Sequence, residues 1–181
     1  MCEKRMNRAS KTAVGGIVTA ISVATMFLTA VIPFLTYILP IAAALLLSIV
    51  TRELGRGWAA GVYLAVGTLG MLVVADKEAA LMYIAFFGYY PLIKDTLDRL
   101  PRIVRILLKL IIFNASVTAA YFVIIKLFGM DSKEFNELGR FTVPVLLVLG
   151  NIVFVLFDRM LGTLCVLYDK RLKSRIHRMF R

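Results

Sequence analysis

The chain contains little of the chemistry that builds disulfide or metal sites. Its 181 residues include two cysteines and one histidine, and Cys2 and Cys165 lie far apart. The topology inferred below places both cysteines on or near the cytoplasmic side, where thiols stay reduced. His177 lies in the basic C-terminal segment without a Cys/His cluster around it. We therefore expect no disulfide, no metal-binding side-chain cluster and no cofactor.

The sequence also lacks the motifs by which common enzymes are recognised. It has no glycine-rich P-loop with a Lys-Ser/Thr pair, no Ser-x-x-Lys element and no His-Glu-x-x-His helix. It offers no evident pair of buried carboxylates for acid-base chemistry. These absences predict a protein that is not an enzyme.

The composition is too apolar for a soluble domain. Hydrophobic residues make up 60% of the chain, and the mean hydropathy is +0.84. A single soluble domain of this length cannot hide so much apolar surface. The net charge of +11 is distributed in short basic blocks between apolar runs, which argues against a nucleic-acid-binding patch. Lipid is the expected solvent, anionic lipids are expected partners, and no nucleic acid is expected.

Six apolar runs approach the length of about 20 residues that a helix needs to cross a hydrocarbon core of about 30 Å. Charged or turn-forming segments separate these runs. The sequence therefore predicts an all-α, polytopic membrane protein with about six transmembrane helices. The expected spans are Ala13–Ile32, Phe34–Val50, Trp58–Val74, Ala79–Ile93, Ile106–Phe128 and Phe141–Leu161.

Lysine and arginine determine the expected orientation, because cytoplasmic connections retain an excess of both residues. With the N-terminus inside, 18 of the 22 basic residues fall on the cytoplasmic side. The outer side keeps Lys77, Lys126, Lys133 and Arg140. Both termini are therefore predicted to be cytoplasmic.

A basic segment follows the last span. Leu172, Ile176, Met179 and Phe180 fall on one helical stripe, and lysines and arginines dominate the remaining surface. We expect a six-helix transmembrane domain over residues 1–168 and a basic amphipathic cytoplasmic tail, an interfacial helix, over residues 169–181. Binding of anionic lipid is the favoured role of the tail, and a nucleic-acid or regulatory role is the alternative.

The first span carries small residues at four-residue spacing. Gly16, Ala20 and Ala24 recur along one helix face, with Ala13 close to the same side. Such a face lets another helix approach closely. Ordinary packing within the chain and docking of a separate membrane subunit are both compatible with it.

A compact six-helix chain with an Ala-x-x-x-Ala element in its first helix, here Ala20 and Ala24, resembles the substrate-binding S components of energy-coupling factor (ECF) transporters. The segment Phe87–Lys94, FGYYPLIK, followed by Lys109–Asn114, is similar to a segment of uncharacterised members of that group. The resemblance covers nearly the whole chain.

The resemblance implies a capture subunit in a bacterial cell membrane. Such a subunit binds a small molecule such as a vitamin, or a metal ion, from outside. Its implied partners are a transmembrane coupling subunit and two cytoplasmic ATPases. The stripe of Gly16, Ala20 and Ala24 is then the expected docking face.

Four residues form the candidate ligand site: Tyr37, Tyr83, Asn114 and Asn151. The short second and fourth spans are interrupted by proline, which frees backbone groups that can line a cavity. Asn114 and Asn151 are costly to leave facing lipid, and the two tyrosines can supply aromatic walls near the outer end. The alternatives are helix–helix hydrogen bonds for the asparagines and an interfacial aromatic belt for the tyrosines.

A second function from another class is a non-transporting membrane scaffold or assembly factor. In that case the small-residue face and the basic tail serve protein and lipid contacts. Copurification with a coupling subunit and two ATPases favours the importer, and a solidly packed interior without ligand favours the scaffold. The sequence does not determine the cargo, because specificity depends on which few side chains converge in space.

Overall fold

The computed structural model describes residues 7–32, 35–128 and 142–168. These ranges are helical and contain no strand, which confirms the predicted all-α fold. The helices are α1 (Arg8–Phe27), α2 (Ile38–Glu53), α3 (Arg56–Val73), α4 (Lys77–Met82), α5 (Tyr90–Leu97), α6 (Arg102–Phe128) and α7 (Thr142–Leu167). A 3-10 turn over Leu28–Ala30 follows α1, and a π-helical segment over Tyr83–Phe87 follows α4.

Within the described residues, four helical segments are long and apolar enough to cross a membrane: Arg8–Ala30, Arg56–Val73, Arg102–Ala120 and Leu147–Leu167. They correspond to the first, third, fifth and sixth predicted spans. Large apolar side chains lie exposed along them, among them Leu72 (79% exposed) and Ile103 (75% exposed). Such surfaces are unfavourable in water and ordinary in lipid, so they support a membrane-embedded protein.

The second and fourth predicted spans form shorter helices. α2 has 16 residues, about 24 Å of helix against a hydrocarbon core of about 30 Å. The fourth span is divided, because α4 gives way to the π-helical segment before α5 begins. Pro40 and Pro91 lie in the first turns of α2 and α5, where the missing N–H removes no helical hydrogen bond. Pro40 therefore does not interrupt α2, whereas the predicted fourth span is interrupted at Gly88 and Tyr89, just before Pro91.

Two neighbouring charged residues, Asp76 and Lys77, stabilise the start of α4 and the end of α3. The Asp76 carboxylate caps α4 by accepting a hydrogen bond from the Ala79 amide at 3.1 Å. The Lys77 ammonium donates to the carbonyl oxygens of Met71 at 2.7 Å and Val74 at 2.8 Å. A cation is favourable at the C-terminal end of α3, because the last carbonyls lack helical partners.

The chain divides into two compact units, with the boundary between Ile93 and Lys94. In the first unit, α1 packs against α2 and α3, and α4 packs against α2 and α3. The buried face of α1 consists of Gly15, Ser22 and Met26, whose spacing of seven and four residues places them on one side of the helix. This face anchors α1 in the apolar core of the unit.

In the second unit, α6 packs against α7. The buried rings of Phe113 and Phe154 stack with centroids 4.9 Å apart and an interplanar angle of 9°. Gly150 lies beside this pair, because a Cβ at that position would be 3.4 Å from the Phe113 ring. The predicted tail, residues 169–181, lies outside the described residues and stays a prediction.

Candidate functional site

The small-residue stripe of α1 lies at the surface of the first unit. Gly16, Ala20 and Ala24 are all exposed. A Cβ added at Gly16 would meet no atom within 4 Å. The buried face of α1 lies elsewhere on the helix, so packing within the first unit does not account for the stripe.

This stripe forms one wall of an open apolar groove between α1 and α3. The volume of the groove is about 1220 Å³. The opposite wall, on α3, repeats the four-residue spacing of small residues: Gly57, Gly61 and Ala65. The α3 stripe lies outside the predicted docking face, although its Gly-x-x-x-Gly-x-x-x-Ala pattern is visible in the sequence. Two helices, and not α1 alone, therefore define the candidate docking site.

Two threonines line this α1–α3 groove, but their hydroxyl groups are already hydrogen-bonded within α1. Thr12 donates to the carbonyl oxygen of Arg8 at 3.1 Å, and Thr19 donates to that of Gly15 at 2.8 Å. Both hydroxyls are thus satisfied by the preceding turn of their own helix. The groove is suited to an apolar helix or an apolar chain.

Tyr37 lies in the connection before α2, with half of its surface exposed. Its hydroxyl donates to Oε1 of Glu78 at 2.5 Å, a length typical of a bond to a charged acceptor. Glu78 belongs to the first turn of α4. The bond ties the α1–α2 connection to α4 and leaves the Tyr37 ring accessible.

Tyr83 is fully buried at the start of the π-helical segment. Its hydroxyl has no hydrogen-bond partner within the described part of the chain. The ring of Tyr63 lies 6.0 Å away between centroids, and the Tyr63 hydroxyl donates to the carbonyl oxygen of Ile84 at 2.8 Å. An unpaired buried hydroxyl is costly, so the Tyr83 hydroxyl is a group that a bound polar molecule or an internal water can satisfy.

Gly88 allows the two tyrosine rings to approach the backbone. A Cβ at Gly88 would lie 2.6 Å from the Tyr63 ring and 2.8 Å from the Tyr83 ring. The Gly88 amide donates to the Tyr83 carbonyl oxygen at 2.7 Å, a bond five residues back that characterises a π turn. The glycine of the FGYYPLIK segment therefore has a packing role.

Asn114 on α6 and Asn151 on α7 contact each other. Each side-chain amide donates to the Oδ1 atom of the other at 3.2 Å. Each also donates to the carbonyl oxygen four residues earlier, Leu110 at 2.8 Å and Leu147 at 2.7 Å. Both N–H groups of each amide thus have acceptors, a geometry that supports hydrogen bonding between helices. Contact with a ligand stays a prediction.

The four predicted ligand residues are divided between the units. Tyr37 and Tyr83 belong to the first unit, and Asn114 and Asn151 belong to the second. The two asparagines are in direct contact. The buried hydroxyl of Tyr83 and the accessible ring of Tyr37 are the features of the first unit that a ligand can use.

Two lysines and two aspartates of the second unit form a closed ionic ring that the sequence did not predict. Lys109 Nζ lies 2.6 Å from Asp98 Oδ1 and 2.9 Å from each carboxylate oxygen of Asp158. Lys94 Nζ lies 3.3 Å from Asp98 Oδ2 and also donates to Asp158. The ring joins α5, α6 and α7. In the sequence, Asp158 was the residue that could have indicated this ring, because an ionisable residue in an apolar span requires a partner.

The lysines of the ionic ring are more buried than the aspartates. The side chains of Lys94 and Lys109 are 9% and 8% exposed, whereas those of Asp158 and Asp98 are 24% and 38% exposed. Both lysine ammonium groups are thus buried beside two carboxylates, which compensate their charges.

Comparisons with known proteins identify no relative of the chain. No protein-family model, curated protein or solved structure matches it. Its function is therefore inferred from the residues and the geometry described above.

Proposed function

We propose that the chain is the membrane-embedded substrate-capture (S) component of an ECF-type importer in a bacterial cell membrane. It binds a small nutrient, such as a vitamin, from outside and docks on a transmembrane coupling subunit that works with two ATPases. The observation that carries this proposal is the exposure of Gly16, Ala20 and Ala24 along the apolar α1–α3 groove.

The groove supports docking for a physical reason. In lipid, helices associate through close packing of their backbones, and small residues permit that approach. Gly16 belongs to one wall of the groove and Gly61 to the other, and neither position has an atom within 4 Å of an added Cβ. A partner helix can therefore contact backbone on both walls.

The proposed topology has six spans with both termini in the cytoplasm. The four long apolar helices supply four of the spans, and α2 and the divided α4–α5 segment supply the shorter two. Short or divided spans are tolerated where they pack against neighbouring helices or line a cavity. The distribution of lysine and arginine supports the orientation.

Capture of a ligand is assigned to the outward end of the first unit. Tyr83 contributes a buried hydroxyl without a partner among the described residues, and Tyr37 contributes an accessible ring. These groups suit a small molecule with an aromatic or apolar part and a polar group. Asn114 and Asn151 are the further candidates.

The test is copurification of the tagged chain from its own bacterium, with Ala20→Leu and Ala24→Leu combined. We expect the variant to insert normally and to lose the coupling subunit, the ATPases and uptake. Ala115→Leu with Ala119→Leu is the matched control, because these alanines are also exposed and four residues apart, on α6. Equal recovery of partners and equal uptake in both variants would refute docking on α1.

A membrane scaffold is the second candidate function. It is favoured by the reciprocal hydrogen bonds of Asn114 and Asn151, which give these amides a structural role without any ligand. A scaffold has no need of a nutrient. Recovery of the chain with membrane partners but without a small molecule or ATPases would favour this function over the importer.

A further inference from the structure

The α1–α3 groove has basic residues at one end. Arg8 and Lys11 lie in the first turn of α1, immediately before the groove residue Thr12, and Arg56 begins α3 next to Gly57. Arg8 and Arg56 are exposed. Thr12 and Gly57 are the first groove residues on their helices. Arg8, Lys11 and Arg56 come just before them and therefore lie at the same end of the groove.

The other end of the groove is apolar. Its last lining residues are Leu28, in the 3-10 turn after α1, and Val73 on α3. Neither is charged, and Phe27 and Leu69 precede them in the walls. The proposed orientation places the basic end at the cytoplasmic surface of the membrane and the apolar end toward the outside.

The lining of the groove also changes along its length. Nearer the basic end, six of the lining residues are glycine or alanine, beside Thr12, Thr19, Trp58 and Val62: Gly15, Gly16, Ala20, Gly57, Gly61 and Ala65. On α3 these small residues extend from Gly57 to Ala65, which is about 12 Å of helix. One leaflet of the hydrocarbon core is about 15 Å thick, so the stretch of small residues on α3 is comparable in length with one leaflet.

We propose that this groove binds a phospholipid of the cytoplasmic leaflet that has an anionic headgroup. Arg8, Lys11 and Arg56 contact the phosphate and headgroup, and an acyl chain lies between the two small-residue walls. Basic pockets between transmembrane helices on the cytoplasmic side bind anionic headgroups, and arginine pairs well with phosphate. Trp58 lines the same end of the groove and supplies an indole suited to the membrane interface.

This inference concerns the chain free of any coupling subunit and rests on the proposed orientation. A helix that docks in the groove displaces the lipid, because both use the same small-residue walls. In the isolated chain no partner helix is present, and the basic residues at one end of the groove favour a lipid with an anionic headgroup as its occupant.

The first arm of the test fills the groove. The purified chain in detergent is titrated with phosphatidylglycerol, and bound lipid is counted by native mass spectrometry. Gly61→Leu is expected to remove one tightly bound lipid. Gly162→Leu is the matched control, because Gly162 on α7 likewise has no atom within 4 Å of an added Cβ. Ala20→Leu is a second filling variant on the opposite wall.

The second arm removes the charge. Arg8, Lys11 and Arg56 are replaced together by glutamine, and phosphatidylcholine with the same acyl chains serves as the zwitterionic probe. At about 1 kcal/mol for each basic residue, affinity for phosphatidylglycerol should fall on the order of 100-fold. Arg99→Gln with Arg102→Gln removes exposed charge from the second unit and should leave this binding event unchanged.

Several results would overturn the proposal. Retention of the tightly bound lipid in folded Gly61→Leu and Ala20→Leu variants would show that the groove is not its site. Equal affinity for phosphatidylglycerol and phosphatidylcholine would show that the groove does not recognise an anionic headgroup. Self-association abolished by the filling variants would assign the groove to a second copy of the chain. Because the assay uses the isolated chain, a failed docking experiment in the bacterium leaves its outcome unaffected.

Discussion

Replacing Asp158 with asparagine will remove the carboxylate that both buried lysines of the ionic ring contact. Asparagine keeps the size of the side chain, so the main change is the loss of one negative charge. Lys109 loses a carboxylate that it contacts at 2.9 Å through both oxygens, and Lys94 loses a hydrogen-bonded counterion. Asp98 is left as the carboxylate that the two ammonium groups share.

The magnitude follows from burial. Removing one partner of a fully buried ion pair costs about 3–5 kcal/mol, because the remaining charge is left without compensation. Here the Asp158 side chain is 24% exposed, and Asp98 remains in contact with both lysines. We therefore expect Asp158→Asn to lower the free energy of unfolding by about 2–3 kcal/mol, below the fully buried range.

The assay is reversible unfolding in mixed micelles, followed by the helical circular dichroism signal. Arg159→Gln is the control, because Arg159 is exposed on the same helix and the substitution also changes the charge by one. Its effect should stay within about 0.5 kcal/mol. Combining Asp158→Asn with Lys109→Gln removes the uncompensated charge as well, so the double variant should be less destabilised than the sum of the two single variants.

Two results would refute the ionic ring as a stabilising feature. One is an Asp158→Asn variant as stable as Arg159→Gln. The other is strict additivity of the Asp158 and Lys109 substitutions, which would mean that the two side chains do not interact in the folded protein.

Three further predictions concern packing, the ligand site and topology. Gly88→Ala should lower the unfolding free energy by about 1–3 kcal/mol in the same assay, because its Cβ overlaps two tyrosine rings, whereas Gly162→Ala should not. Asn114→Ala should lower stability and leave the affinity for any copurifying ligand unchanged if its amide only bonds to Asn151; a selective loss of affinity would establish a ligand contact. In intact cells, an external thiol reagent should label Asp131→Cys but not a cysteine at either terminus, and labelling of one terminus alone would rule out an even number of spans.

The helical fold was predictable because long apolar runs between charged breaks have few solutions in lipid. The structures of the second and fourth spans were harder to predict in this way. Counting apolar residues does not reveal that Tyr83–Phe87 forms a π-helical segment or that Gly88 packs under two rings. Pro40 was misinterpreted because a proline in a first turn and one in a helix interior look alike in a short apolar run.

The candidate sites show the same limit. Spacing places Gly16, Ala20 and Ala24 on one helix face, but their exposure depends on which other face of α1 enters the core. The ionic ring was harder to predict from the sequence. In the predicted topology Lys94 and Lys109 count toward the positive charge of the cytoplasmic side, yet both contact aspartates that neutralise them, one of them 49 residues from Lys109. Only the packing of α5, α6 and α7 brings these charges together.

Native mass spectrometry of the chain, gently extracted from its native membrane, tests the proposed importer most directly. The proposed function predicts a complex that contains this chain, a transmembrane coupling subunit and two ATPases, together with a retained small molecule that dissociates on activation. Recovery of the chain without ATPases and without a small molecule, under conditions that preserve other membrane complexes, would contradict it.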